Sequence, residues 1–217
     1  MKTLSIPKQP IKEYESISER MKFLSEVGAF TKIDQVNWPD QFAKVLPVSV
    51  HVAHDNENLF LLYKVEGEQL RAVNTKDFES VWEDSCVEFF MQREGEQEYR
   101  NFECNALGTL LASKRFSRDT AVKLTDQMPG IFRFSTIYHR YQNDTEVSDW
   151  SLYLEIPKSA LGFQQDESLA GQNIRGNFYK CGDETPEPHF LSWSPIETEK
   201  PDFHQPKFFG LLELENE

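Results

Sequence analysis

The sequence predicts an all-β fold, an antiparallel jelly-roll or β-sandwich, with one short helix near its N-terminus. Three observations carry this. Past residue 28 the apolar residues recur at a period of two, the mark of strands that bury one face. Turn-forming clusters ("HDNEN", "REGEQE", "QNDTEVSD", "CGDETPEP") cut these runs at short intervals. The 217 residues hold no repeat, linker or low-complexity tract, so they suit one large β domain able to bury its own core. Residues 1–217 therefore read as a single unit, with 1–44 as an N-terminal extension whose helix packs on the sandwich.

The elements follow in order. Residues 15–27, "ESISERMKFLSEV", space Ile17, Met21 and Leu24, flanked by Phe23 and Val27, as one amphipathic helix does. Ten strands are expected after it, over residues 28–36, 48–54, 59–67, 85–92, 99–116, 132–142, 150–157, 173–181, 189–195 and 208–215. The 17 phenylalanines are mostly core, since aromatics bury large areas and suit strands. Trp38 and Trp150 read as core or edge-packing residues.

Charge and cysteine usage narrow the function classes. The net charge is −13, which repels phosphate backbones and anionic lipid, so neither nucleic acid nor a membrane surface is an expected partner. No apolar run approaches the ~20 residues needed to span a bilayer. The opening "MKTLSIPKQPIKEYES" lacks the apolar segment of a secretory leader, so a cytoplasmic address is expected unless a leader was removed. Cys86, Cys104 and Cys181 are odd in number, without CxxC spacing, and sit in apolar runs as small hydrophobes.

Chemistry concentrates in "VWEDSCVEFFMQ", which keeps a carboxylate, Glu88, inside an apolar strand, with Trp82 six residues upstream. Side chains alternate along a strand, so Cys86, Glu88 and Phe90 share one face, and on the next strand Asn101, Glu103 and Asn105 share one. Glu88, Glu103 and Asn105 are expected together on an outer, concave sheet face; the plain alternative is an ordinary solvated face. Two tryptophans, Trp82 before its strand and Trp193 after the polar loop "GDETPEPHF", are candidate platforms for a sugar. Indole faces stack on the apolar side of a pyranose, and carboxylates and amides bind its hydroxyls. Asp84 and Ser85 are expected to bond backbone amides where the chain enters the sheet. "PDFHQP" is expected to guide the chain into its last strand.

From roughly residue 45 to 214 the sequence resembles the family 9 carbohydrate-binding modules, within the wider DOMON-like sandwiches. The resemblance rests on "AHDNENLFLLYKV", "WEDSCVEFFM", "NFECNALGTLLAS", "WSLYLEIPKSALG", "NIRGNFYKCGDE" and "FLSWSPIETEKPDFHQPKFFGLLEL" in that order. It implies a jelly roll that binds a small sugar or polysaccharide end without chemistry, in polysaccharide or oligosaccharide breakdown. Trp82 matches the first of the family's two tryptophans, Glu88 its hydroxyl-binding carboxylate, and Trp193 the second tryptophan. Where the family carries Arg-x-Asn this chain has Glu103-x-Asn105, a change from donor to acceptor that alters which hydroxyls can be held. No cofactor is required; the family's structural calcium makes Asp55, Asn56 and Glu57 candidate oxygen donors, against a simple solvated turn.

Other readings use the same residues. A glycoside hydrolase could employ Glu88 and Glu103 if they lie ~5 Å apart, although the loops look too short for a deep cleft. Haem binding would need an axial pair, and none of the five histidines has a spacing that singles it out. A protein-interaction role predicts buried tryptophans. Oligomeric state leaves no trace in the sequence.

Overall fold

The structure, a computed structural model, describes residues 2–216. It is a sandwich of two sheets with loops and a helix on its outer faces. The strands are β1 (Thr3–Ile6), β2 (Ala29–Lys32), β3 (Gln35–Val36), β4 (Val48–His54), β5 (Asn58–Glu68), β6 (Cys86–Arg93) and β7 (Tyr99–Asn105). They continue as β8 (Leu110–Arg115), β9 (Ala121–Lys123), β10 (Phe132–Gln142), β11 (Thr145–Pro157), β12 (Asn173–Cys181), β13 (Phe190–Ser192) and β14 (Gly210–Leu214).

The first sheet runs β1-β14-β12-β6-β7-β8-β9, with β13 and β3 attached beside β12. The second runs β10-β11-β5-β4-β2. All pairings are antiparallel except β1 with β14. Alternation fills the space between the sheets: Val87, Phe89, Phe102, Cys104 and Phe178 from the first meet Val50, Leu61, Tyr63, Leu152 and Leu154 from the second. Removing such side chains from water is the main driving force for the fold.

Each outer face is partly covered too. Helix α1 (Ile17–Val27) starts at Ser16, whose hydroxyl accepts from the Glu19 amide while the Glu19 carboxylate accepts from the Ser16 amide. Leu24 of α1, with Ile11, covers Ala53, Phe60, Leu62 and Tyr153 on the second sheet. On the first sheet the loops carrying Trp38 and residues 196–209 cover Cys86, Phe90, Tyr99 and Tyr179. This second aromatic cluster surrounds the candidate site.

The expected strands at 48–54, 132–142 and 173–181 have those bounds. β11 begins at Thr145 rather than 150, and the strand expected over 189–195 is confined to Phe190–Ser192. Four further features differ. Residues 28–36 form two strands, β2 and β3, in different sheets, parting at Ile33–Asp34. Residues 99–116 form a hairpin rather than one strand, because the chain turns at Ala106–Thr109, where Gly108 takes a φ of +87°. β1 is held by a parallel pairing to a strand some 200 positions away, so nothing local announces it. β9 is an exposed edge of three residues and shows no burial pattern.

Candidate functional site

Four strands bring one row of side chains together on the outer face of the first sheet. Glu88 of β6 stands directly opposite Glu103 of β7, with Tyr179 of β12 on the other flank and Leu111 of β8 beyond Glu103. The sequence expectation of a shared face holds; the solvated face does not, since Glu88 and Glu103 are each only 3% exposed. They form the floor of a cavity of about 260 Å³. That is below the ~300–1,000 Å³ of drug-sized pockets and of the order of a single sugar ring.

The walls come from loops. Trp82, in a single turn of 3₁₀ helix over Val81–Glu83, is half-buried at one side, and its carbonyl accepts from the Asp183 amide at 3.2 Å. Phe190 and Phe203 also line the cavity. Phe203 lies flat on Tyr179, ring centres 4.2 Å apart and planes 6° from parallel, which fixes its position. Arg115 and Arg118 enter from the β8 end, Asp202 and His204 from the loop before β14.

The floor carboxyls have neutral partners. Glu88 Oε1 accepts from the Cys181 thiol at 3.1 Å, and Glu103 Oε1 accepts from Asn101 Nδ2 at 2.7 Å. Arg115 is turned to Asn101 Oδ1 (3.0 Å) and the Arg118 carbonyl rather than to either carboxylate. Burial pushes Glu88 well above the usual carboxylate range, and the neighbouring Glu103 charge adds to this. Burial likewise raises Glu103 to about 7, with Arg115 opposing. Burial raises Asp183 to about 6 and lowers His204 to about 3, leaving His204 a neutral ring beside the Tyr99 hydroxyl, 2.9 Å from its Nδ1.

Trp193 is not part of this cavity. It is 2% exposed and lies in the core between the sheets, edge-on to Phe178 with ring centres 5.7 Å apart, and it rests on Gly210, where a Cβ would collide with its ring. The reason is parity: Leu191 and Trp193 point inward from the β13 end, so Phe190 points to the cavity.

Asn105 is also elsewhere. Its Nδ2 donates to the Asn74 carbonyl (2.8 Å) and to Asp84 Oδ2 (2.9 Å), and its Oδ1 accepts the Leu107 and Thr109 amides (3.1 and 3.0 Å). It pins the β7–β8 turn. Asp84 anchors the same region, accepting from the Val73 and Asn74 amides (3.1 and 2.9 Å) and pairing with Arg71, while Ser85 Oγ accepts the Arg71 amide at 3.1 Å.

The calcium candidates are each engaged with other groups of the protein. Asp55 Oδ1 accepts the Glu57 and Asn58 amides (3.0 and 2.7 Å), Asn56 Oδ1 accepts the Ala170 amide (3.0 Å), and Glu57 pairs with Lys158 (2.8 Å). Donor atoms of Cys86, Glu88 and Cys181 lie within 4.8 Å of one another and form a hydrogen-bonded cluster, in which the Cys181 thiol donates to Glu88. Burial pushes both thiols up, Cys86 to about 11, which keeps them protonated.

The model of carbohydrate-binding family 9 matches residues 19–214. The chain belongs to this family. A proposed carbohydrate-binding protein of Bacteroides uniformis is 37% identical over 99% of both chains, with a TM-score of 0.87. A family 9 carbohydrate-binding module from Caldicellulosiruptor kristjanssonii, solved with glucose and again with cellotriose, has a TM-score of 0.62 at 9% identity. There the whole of this chain covers 97% and 95% of the two solved chains, a likeness of fold. A search of curated proteins returned no match.

Family membership thus places the chain in a non-catalytic binding family. Phe190, Phe203, Arg115 and Arg118 are among the cavity residues that sequence reasoning missed. Phe190 was legible, because the alternation that places Glu88 outward places Phe190 outward of Trp193. Phe203 and His204 lie in "PDFHQP", and nothing local shows that this segment folds back over β12.

Proposed function

We propose that the chain binds carbohydrate without transforming it, holding one sugar ring or chain end over Glu88 and Glu103 between Trp82 and the Phe190–Phe203 wall. The observation that carries this is the pairing of a polar floor with aromatic sides in a cavity of sugar-ring size. A pyranose is built the same way, with an apolar C–H face and a rim of hydroxyls. A natural setting is polysaccharide or oligosaccharide breakdown, where sugar ends are plentiful.

A glycosidase reading is weaker on the same geometry. A retaining enzyme needs one carboxyl held ionised as nucleophile and the other protonated as acid, one on each side of the scissile bond. Here both rise side by side from one floor, and burial pushes both toward the protonated form.

The test is a glycan array followed by calorimetric titration of wild type, Trp82→Ala, Glu88→Ala and the double variant. Each single change should weaken binding about tenfold or more, since stacking and a buried hydrogen bond to the floor each contribute roughly 1–3 kcal/mol. The double should lose less than the sum because both residues hold one ring. Unchanged affinity in both single variants sinks the proposal.

A further inference from the structure

Resting on the sugar-site reading, we infer that Glu88 and Glu103 share one proton at neutral pH and together grip an uncharged vicinal diol. One hydroxyl donates to the carboxylate, and its neighbour accepts from the carboxylic acid.

The geometry sets this up. Glu88 and Glu103 are direct cross-strand neighbours, on one face, at equal burial. Such neighbours place their Cβ atoms only ~4.5–5.5 Å apart. Two bare carboxylates at that separation out of water repel strongly, and the usual remedy is a cation or a proton. Among the described residues neither carboxyl joins an ion pair; each has one neutral donor, the Cys181 thiol or the Asn101 amide, on its Oε1. Each Oε2 is left free for a ligand. A shared proton relieves this repulsion without any further partner, and it turns two like acceptors into one donor and one acceptor.

The surroundings agree from each packed element. Tyr179 and Cys181 of β12, Cys86 of β6 and Tyr99 of β7 are neutral hydroxyls and thiols, raised by burial. Asp183, after β12, adds negative charge that favours protonation of both glutamates. Arg115 of β8, with Arg118 just beyond it, works the other way and keeps Glu103 the more acidic of the two. His204 and Asp202 also line the cavity, and with His204 held neutral by burial that loop offers no compensating cation. Carboxyls in such a pair titrate as a unit, and the upper step belongs to the pair.

A ligand class follows. Adjacent equatorial hydroxyls present a donor and an acceptor at once, matching the one-proton pair. An ammonium in place of one hydroxyl would instead favour two carboxylates. Covering the floor with a sugar removes its remaining water, so binding should hold the proton more tightly and take protons up as pH rises past the free pair's upper step.

The experiment is calorimetric titration with the best neutral sugar from the array, at pH 6 to 9 in two buffers of different ionisation enthalpy. Wild-type affinity should fall by up to about tenfold per pH unit above the upper step, with buffer-dependent heat showing proton uptake. Glu88→Gln should lose most of the fall in affinity between pH 6 and 9, because an amide beside one carboxylate keeps a donor and an acceptor that no longer depend on a shared proton. A flat wild-type profile with normal binding overturns this inference and leaves the sugar-site reading standing. Tighter binding of a 2-amino sugar than of its parent sugar at pH 8 also overturns it. If no sugar binds, the sugar-site reading fails. The proton is then judged on free protein with ¹³C-labelled glutamate, where loss of the pair's last proton below pH 7 refutes it and loss above pH 7 supports it.

Discussion

Two buried carboxylate sites share strand β12 and differ in one respect. Glu68, 2% exposed, accepts from Lys180 Nζ (2.8 Å) on one oxygen and Trp150 Nε1 (2.8 Å) on the other, with His189 3.4 Å away. Burial alone would raise it, but the Lys180 charge and these hydrogen bonds hold it down at about 2. Glu88 and Glu103 are as deeply buried and are pushed the other way. The difference is a single step along β12: Tyr179 and Cys181 face the glutamate pair, while Lys180 between them faces inward to Glu68. Burial does not decide what a carboxylate does; the presence of a cation on its side of the sheet does. Glu68 is saturated and structural, whereas the pair keeps unfilled valence toward a cavity.

The largest test removes the cation. Lys180→Met leaves Glu68 charged in the core, and breaking a buried pair this way typically costs about 3–5 kcal/mol. Urea unfolding at pH 7 should show a loss in that range; a loss under ~1 kcal/mol means that His189 and Trp150 suffice, and the contrast with Glu88–Glu103 loses its basis.

The aromatic residues divide along the same line between core and cavity. Trp193→Ala should cost about 3–5 kcal/mol as a core truncation, with sugar affinity unchanged at temperatures where the variant is folded. If instead affinity falls and the melting temperature holds, Trp193 belongs to the site and the core assignment is wrong.

A smaller effect is expected from Glu103→Gln, and its sign reverses that of Lys180→Met. Glu103 has its folded pKa raised from 4.5 to about 7, so between those values the folded chain binds more protons than the unfolded one. Stability from this group is therefore full below pH ~4.5 and lost as pH rises toward 7. Glu68 behaves oppositely: its contribution is full above pH ~4.5 and lost as pH falls toward 2. Glu103→Gln should thus stabilise the protein at pH 8, by about 1–3 kcal/mol, and do little at pH 4.5, where the acid is already neutral. Thermal melts at the two pH values check it, and destabilisation at pH 8 would show an ionised Glu103 with a partner.

How much of this was legible follows from what carries each feature. Strand alternation is local, so the shared face of Glu88 and Glu103 could be read from residues 82–105, as could Trp82 as a candidate beside them. The same rule, applied to "HFLSWSP", would have turned Trp193 inward; the family match pointed the other way, and the strand is too short for alternation to stand out. Asn105 shares the face of Glu103 and yet serves the turn, because position along a strand matters as much as parity. The β12-facing loop with Phe203 and the Lys180–Glu68 pair, 112 positions apart, are long-range contacts that no local pattern encodes.

The smallest expected effect concerns a third carboxylate, Asp55, which is saturated as Glu68 is but by backbone rather than by a cation. Its Oδ1 accepts two amides and the Asn58 side chain, a local turn that positions the start of β5. Calcium takes six to eight oxygens at 2.3–2.6 Å. To coordinate here it would have to take Asp55 from these amides, Asn56 from Ala170 and Glu57 from Lys158, exchanging interactions already made. Adding millimolar calcium, or removing it with chelator, should therefore leave the melting temperature unchanged within about 1 °C, against the ~4 °C or less that 1 kcal/mol produces in a domain of this size. A larger, saturable rise would mean that the turn opens to bind the ion, and Asp55→Asn would then abolish the rise. With no such rise, Asp55 behaves as Glu68 does, and unfilled carboxylate valence remains a property of the Glu88–Glu103 floor.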